Sequence, residues 1–311
     1  MTQSRTAPFE VEVVVDGHDE VGEGPVWLGS EQQLIWVDIT RNLIHRLAPI
    51  AHRKESIDIG QHVGAVAPRV TGGFVAAVQH GFGFVDAPTG RLEIIADVEA
   101  DNPGNRMNDG KCDSAGRFWA GTMAFDLTPG AGALYRLNTD HSVVKVLEDV
   151  TLSNGLGWSP DDTSMYFIDS ATNGVDVFDY EPDSGELRNR RRLIDIPQEL
   201  GMPDGMTVDS EGFLWVALWG GWSVRRYAPD GTPDTVIELP ASKITSCAFG
   251  GEDLSFPSST SPLRLTNYPS RSCAGSPLQA HFSAVSRGRR GYWRTRLKVK
   301  TAGNPAIEVA F

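Results

Sequence analysis

The apolar positions of this chain fall in short runs: Leu34-Ile-Trp-Val, Phe74-Val-Ala-Ala-Val, Phe118-Trp-Ala, Met165-Tyr-Phe-Ile and Phe213-Leu-Trp-Val-Ala-Leu. Runs this brief, rich in aromatic and β-branched residues and bounded by Gly, Pro, Asn and Asp, predict strands. Partners that alternate apolar with polar follow them, as in Leu134-Tyr-Arg-Leu, Val175-Asp-Val-Phe-Asp-Tyr and Val224-Arg-Arg-Tyr. Ala87-Pro-Thr-Gly, Pro182-Asp-Ser-Gly and Pro229-Asp-Gly supply hairpin turns between them. No stretch of helical periodicity competes with the strands; Ile196 to Met202 has room for one helical turn.

A Gly-bounded segment precedes each apolar run. The copies are Gly24-Pro-Val-Trp-Leu-Gly-Ser, Gly64-Ala-Val-Ala-Pro-Arg-Val-Thr-Gly-Gly, Gly110-Lys-Cys-Asp-Ser-Ala-Gly, Gly155-Leu-Gly-Trp-Ser-Pro-Asp-Asp, Gly205-Met-Thr-Val-Asp-Ser-Glu-Gly and Ser246-Cys-Ala-Phe-Gly-Gly-Glu-Asp. Their starts are separated by 40, 46, 45, 50 and 41 residues, the period of one four-stranded propeller blade. The fold class predicted is therefore all-β, a six-bladed β-propeller, against the alternative of a β-sandwich or several small β domains. A closed ring gives the repetition a physical purpose, because it removes exposed strand edges.

In such a ring, equivalent positions of successive blades point at one axis. Immediately ahead of the repeat glycine stand Glu23, Asn108-Asp109, Asn154 and Asp204. Carboxylates and carboxamides meeting at an axis repel or compete unless neutralised, and a divalent cation is the simplest neutraliser. The donors are all oxygens, which favours Ca²⁺, Mg²⁺ or Mn²⁺, while carboxylates also admit Zn²⁺. The alternative for any one of these residues is a side chain capping its own turn. The richest stretch, Asn105 to Met123, crowds Arg106, Asn108, Asp109 and Lys111 into what reads as a Gly-broken turn before Phe118-Trp-Ala.

Other chemistry is scarce. The histidines, at 18, 45, 52, 62, 80, 141 and 281, show no paired ligand spacing. No Gly-x-Ser-x-Gly, phosphate-binding loop or dinucleotide fingerprint is present. The recurring tryptophans, Trp27, Trp36, Trp119, Trp158 and Trp215, read as packing between blades, whereas Trp219-Gly-Gly-Trp222 could carry an aromatic to the channel mouth.

Composition narrows the setting. Cys112, Cys247 and Cys273 have neither even number nor metal-type spacing, which fits a reducing compartment. No apolar run approaches a membrane span and the first residues lack a secretory signal's apolar segment, so a cytoplasmic protein is expected. A net charge of −12 argues against nucleic-acid or anionic-membrane partners. A monomer or weak homo-oligomer is expected.

Gly22-Glu-Gly-Pro25, Asn105-Arg106 through Met123, Leu152-Ser-Asn-Gly-Leu-Gly-Trp-Ser159 and Pro203-Asp-Gly-Met-Thr-Val-Asp209 together resemble the gluconolactonase/regucalcin family, also called the senescence marker protein 30 family. The similarity runs from about residue 15 to 253. It implies a six-bladed propeller and a metal-dependent sugar lactonase of carbohydrate metabolism, with a small sugar lactone as the only partner. It also implies Glu23, Asn154 and Asp204 as ligands of one divalent cation, and Asp204 as general base. Arg106, Asn108 and Asp109 would contact the sugar, and Asp126 would stand behind them. Two other readings stay open: phosphotriester hydrolysis at the same site, and a binding propeller whose cation is structural.

The sixth repeat departs from the pattern. After Asp253 a strand is due, but the chain reads Ser255-Phe-Pro-Ser-Ser-Thr-Ser-Pro-Leu-Arg264, with two prolines and little alternation. Residues 255–311 hold seven Arg, two Lys and one Glu, whereas residues 1–254 hold 19 basic and 39 acidic side chains. The domain division expected is a propeller over 10–254 and a basic, poorly ordered segment over 255–311. That segment reads either as a tail for an acidic partner or as the product of a slipped reading frame near Leu254. Codons for Ser259-Thr-Ser-Pro262, displaced by one base, can read Tyr-Val-Thr-Ser, the strand a sixth blade of the resembled family would hold. A displaced frame over the stretch from Ser270 likewise matches that family's usual ending. The coding sequence read one base out across this region should continue the blade pattern. A frame-restored protein should then melt at a higher temperature and hydrolyse lactones faster than the chain as written; equal values would refute the slip.

Overall fold

The computed structural model describes Val15, residues 18–48 and residues 53–250, together with the backbone of four short strands, Arg5–Thr6, Phe9–Glu12, Leu297–Thr301 and Asn304–Val309. Nearly all of it is β. Blade one comprises Gly22–Leu28, Gln33–Asp38, Leu43–Ala48 and Arg53–Asp58; blade two Val63–Pro68, Phe74–Val78, Gly81–Val85 and Leu92–Asp97. Blade three comprises Asn105–Cys112, Phe118–Ala124, Gly132–Leu137 and Val143–Val150; blade four Ser153–Trp158, Ser164–Asp169, Gly174–Glu181 and Glu186–Asp195. Blade five comprises Met202–Val208, Leu214–Trp219, Ser223–Tyr227 and Pro233–Glu238, whose outer edge pairs in parallel with Arg5–Thr6. Within each blade the four strands pair antiparallel in chain order. Two single 3₁₀ turns, Ser170–Thr172 and Gln198–Leu200, interrupt the strands.

The first strand of each blade faces its counterparts in the next, so the first strands line the axis. The fourth strands, such as Arg53–Asp58 and Glu186–Asp195, are mostly exposed. The core lies between blades. Ile35, Val37 and Ile44 of blade one meet Val66, Phe74 and Ala76 of blade two. Phe82 packs edge-on against Phe118 of blade three, with ring centroids 5.8 Å apart. Trp119, Trp158 and Tyr180 form a three-ring cluster between blades three and four, where the sequence predicts aromatic packing. Each such buried side chain contributes about 1.5–3 kcal/mol relative to exposure.

Among the described residues there are five four-stranded blades, where the sequence predicts six. The sixth repeat is represented by its opening alone: Ser246 to Gly250 form no ladder, and residues 251–296 lie outside the described residues, as do the domain boundary placed at 254, Cys273, His52 and His281. Phe9–Glu12, Leu297–Thr301 and Asn304–Val309 make a separate three-stranded antiparallel sheet. The short opening nevertheless closes the inner wall. The Gly205 amide donates to the Thr245 carbonyl at 2.7 Å, and the Thr245 hydroxyl donates to the Gly22 carbonyl at 2.9 Å. Phe249 packs edge-on to Trp215 of blade five, and Gly250 lies against Trp27 of blade one.

The repeat's Asp-x-x-Gly segment has a structural explanation. In blade three the Asp113 carboxylate accepts from the Arg117 amide, and its other oxygen accepts from Arg117 Nε at 2.6 Å, Trp119 Nε1 at 2.8 Å and the Tyr180 hydroxyl at 2.9 Å. In blade five Asp209 repeats the pattern, accepting from the Phe213 amide, Trp215 Nε1 and Arg226. One acid thus shapes the turn, orients the indole six residues on and ties neighbouring strands. Removing Asp113 leaves the buried Arg117 guanidinium without its counter-charge. Asp113→Ala is therefore expected to destabilise the fold by about 3–5 kcal/mol, measured as a drop in urea midpoint at unchanged slope.

Candidate functional site

Glu23, Asn108, Asp109, Asn154 and Asp204 all lie on first strands rather than in turns: the stretch expected to be a Gly-broken turn is itself the strand Asn105–Cys112. A β-bulge falls at or directly after each of them. Pairing shifts between Glu23 and Val26, Met107 and Gly110, Asn154 and Leu156, and Pro203 and Met206. A bulge bends its strand and re-aims one side chain, here toward the axis. At Gly64 and Gly155 a glycine is needed because the neighbouring first strand passes too close for a side chain. A Cβ on Gly64 would stand 2.2 Å from the Asn108 carbonyl, and one on Gly155 would stand 2.8 Å from the Asp204 carbonyl.

The amides form one chain around the axis. Arg106 Nη1 donates to Asn108 Oδ1 at 2.7 Å and to the Met107 carbonyl at 2.9 Å. Asn108 Nδ2 donates to Asn154 Oδ1 at 2.8 Å and to the Ser153 carbonyl at 2.7 Å. Asn154 Nδ2 donates to Ser170 Oγ, whose hydroxyl donates to the Pro203 carbonyl at 2.6 Å beside Asp204. Blades three, four and five are thereby linked through side chains whose positions are fixed at both ends.

The carboxylates are under-partnered. Glu23 accepts from its own neighbour Gly24 N at 3.0 Å, and Asp109 from Gly110 N at 2.7 Å. No donor among the described residues reaches the Asp204 carboxylate, although the residue is buried. Burial first, and the charge of Asp109 second, push the Glu23 carboxyl up to about 8. Burial, then Glu23 and Asp109, hold Asp204 well above the usual carboxylate range, with Arg106 opposing. Asp109 is raised by burial against the pull of Lys111 and Gly110 N. Three buried acids, Glu23 raised by Asp109 and Asp204 by both, with no donor among the described residues on Asp204, are what a divalent cation would neutralise. The lone pair Asn154 Oδ1 retains after accepting from Asn108 gives the set a neutral oxygen. The donor set fits a hard cation.

A model of the SMP-30/gluconolactonase/LRE-like region matches residues 21–256. The chain belongs to this family. Regucalcin of Danio rerio is 44% identical over 250 residues, covering 79% of this chain and 84% of that protein. Among solved structures, a calcium-binding regucalcin from Agrobacterium tumefaciens superposes with a TM-score of 0.78 at 30% identity, over 81% of this chain and 85% of that one. A luciferin-regenerating enzyme gives 0.81 at 26% identity, over 98% and 100%. No described helix is long and apolar enough to cross a membrane.

Not every residue assigned through the family resemblance joins the axial group. Asp126 is exposed, and its carboxylate folds back onto the Thr128 amide and hydroxyl at 3.0 and 2.7 Å, capping its own turn. A turn-capping pattern, Asp-x-Thr, is visible there in the sequence. Its neighbour Phe125 packs edge-on against His62, with ring centroids 5.6 Å apart. His62 was legible only as an isolated histidine; its Nδ1 is buried without a hydrogen-bond partner, and burial followed by the Arg106 charge lowers its pKa. Ser170 had no signal beyond its place after a strand. Trp222 lies exposed in the loop between the second and third strands of blade five, in left-handed backbone.

A second acidic group, Asp19, Asp38 and His45, brings three candidate ligand atoms within 4.8 Å of one another, the one such His/Cys/Asp/Glu set among the described residues. Its charge is already met: Asp19 accepts from Trp36 Nε1 at 2.6 Å and lies 3.1 Å from His45 Nε2 and 3.6 Å from Lys54 Nζ. Asp38 accepts from the Glu20 and Val21 amides. It ties the approach to blade one.

The raised acids fix a pH dependence. Glu23 titrates near 4.5 in the unfolded chain and about 8 in the fold, so the folded state holds the proton more tightly. The stability this provides is complete below the unfolded value and is lost as pH rises through about 8; Asp109 and Asp204 act in the same direction. The thermal midpoint of cation-free protein should therefore fall between about pH 5 and about pH 9. Excess Ca²⁺ should flatten that fall, because binding favours the ionised cluster.

Proposed function

We propose that this chain is a sugar lactonase that requires one divalent cation. The observation that carries the reading is the buried, under-partnered set of Glu23, Asp109 and Asp204, in a member of the gluconolactonase family. Glu23, Asn154 and Asp204 would hold the ion, with Ca²⁺, Mn²⁺ and Mg²⁺ favoured by the oxygen donors and Zn²⁺ admitted by the carboxylates. When bound, the ion supplies Lewis-acid polarisation of an ester carbonyl.

The chain's own residues do the rest. Arg106, braced by Asn108 and the Met107 carbonyl, would contact sugar hydroxyls or the ring ester with its guanidinium. Asp109 accepts from a hydroxyl through the oxygen Gly110 does not use. Asp204, with no competing donor among the described residues, takes the proton of the attacking water. The water oxygen bonds to the carbonyl carbon, the ring C–O bond breaks, and the ring oxygen leaves as a hydroxyl carrying the proton that Asp204 returns to it. The product is a hydroxy acid that ionises and lowers the pH.

On this reading the catalytic unit is the propeller over residues 10–254, with a sixth blade opening at Ser246, and 255–311 is a separate basic segment. It works in the cytoplasm as a monomer or weak homo-oligomer on a small lactone. A second reading, a binding propeller whose cation is structural, draws on the calcium binding of the Agrobacterium relative.

Gluconolactone and an aryl phosphotriester, each assayed with and without chelator, separate the readings. Chelator-sensitive acid release from the lactone alone is expected. Phosphotriester turnover alone would reassign the substrate, and turnover of neither would leave binding. Asp204→Ala should reduce lactone hydrolysis by at least about 10³-fold, and Glu23→Gln should weaken cation binding. Undiminished hydrolysis in both variants would discard the site.

A further inference from the structure

The hydrogen-bonded side chains that cross blades three, four and five run in one direction, and their two ends impose it. A guanidinium can only donate and a peptide carbonyl can only accept. Arg106 Nη1 stands at one end, 2.7 Å from Asn108 Oδ1, and the Pro203 carbonyl at the other, 2.6 Å from Ser170 Oγ. Every proton between them therefore points from blade three towards blade five. Asn108 cannot turn over, because its oxygen accepts from Arg106 and its NH2 also meets the acceptor-only Ser153 carbonyl at 2.7 Å. Asn154 accepts from Asn108 Nδ2 at 2.8 Å and gives its own NH2 to Ser170 Oγ at 2.8 Å.

Ser170 makes the last link one-way. Its single hydroxyl proton is committed to the Pro203 carbonyl, so its oxygen meets Asn154 with lone pairs. A reversed Asn154 amide would set NH2 against NH2 at Asn108 and oxygen against oxygen at Ser170. Both bonds would be lost between buried side chains, where unmet polar groups are costly. Ser170 is itself held firmly. Asp169 caps the 3₁₀ turn Ser170–Thr172, its carboxylate accepting from the Ala171, Thr151 and Leu152 amides, and the Ser170 amide donates to the Leu152 carbonyl at 3.0 Å.

We propose that Ser170 is a positioning residue for the cation site. Its hydroxyl, pinned to the carbonyl of the residue before Asp204, keeps the oxygen of Asn154, and not its NH2, available as the neutral ligand. The serine acts through Asn154 and touches neither substrate nor ion. This role rests on the one-cation reading of the axial site, and orienting a ligand from behind is a recurrent way of tuning metal affinity.

The full-length chain, stripped with chelator, is titrated with Ca²⁺ by calorimetry in two backgrounds. In the wild-type background, Ser170→Ala leaves the Asn154 NH2 a buried donor without its acceptor, and the dissociation constant should rise about 10–100-fold. In the Asn154→Asp background the side chain carries the same atom at both positions and has no wrong way round, so adding Ser170→Ala should not weaken binding further. A rise of the same size in both backgrounds, the mark of a merely structural serine, overturns the proposal, as does an unchanged constant in the first. Loss of all binding in Asn154→Asp also counts against it, since a carboxylate supplies the same oxygen. Should Ser170→Ala fail to fold, Ser170→Cys, with a much weaker acceptor in place of the hydroxyl, is read in its stead in both backgrounds. A wild type that binds no Ca²⁺ overturns the one-cation reading itself, and the role of Ser170 with it.

Discussion

Mutual repulsion among Glu23, Asp109 and Asp204 is the constraint around which the molecule is built. Like charges out of water are costly, and each of these acids is buried. The protein answers with Arg106 on one side and Lys111 on the other, and with an amide chain from Asn108 through Asn154 to Ser170. Little else is spent on the carboxylates. Elsewhere in the same fold a buried acid is saturated, as Asp113 is by a backbone amide, a guanidinium, an indole and a phenol. The contrast between the two treatments separates an acid that holds structure from acids left open for something else.

That arrangement can exist only because the scaffold does not depend on it. The interblade layers, from Ile35 and Phe74 through Trp119 and Trp158 to Val216 and Leu218, hold the first strands in place by apolar packing. Glycine then lets adjacent strands approach so closely that a bulge is the remaining way to accommodate the extra residue. The bulge turns one side chain per blade inward. A repeated packing device thus produces a convergent polar site, with different residues at equivalent positions doing different work.

Closure of the ring falls to an unexpectedly small piece. Thr245 ties the first strand of blade five to that of blade one, and Phe249 and Gly250 lie against Trp215 and Trp27. The inner wall needs one strand's width of chain to be continuous, and that much lies before residue 251.

The sequence by itself determined the strand runs, their blade-length period and the set of polar residues ahead of the repeat glycines. All of these follow from local periodicity and from matching positions in a repeat, which are properties of neighbouring residues. It did not disclose that those residues sit on bulged strands, since a Gly-rich polar stretch reads as a turn until a neighbouring strand is seen packed against it. Nor did it separate Asp109 from Asp126, two acids in polar stretches, one buried at the axis and the other capping its own turn in solvent. The bonds from Asn108 to Asn154, from Lys111 to the Met206 carbonyl and from Thr245 to Gly22 join residues 46, 95 and 223 positions apart. Such contacts depend on how the blades curl around the axis, and only the tertiary structure sets that curl.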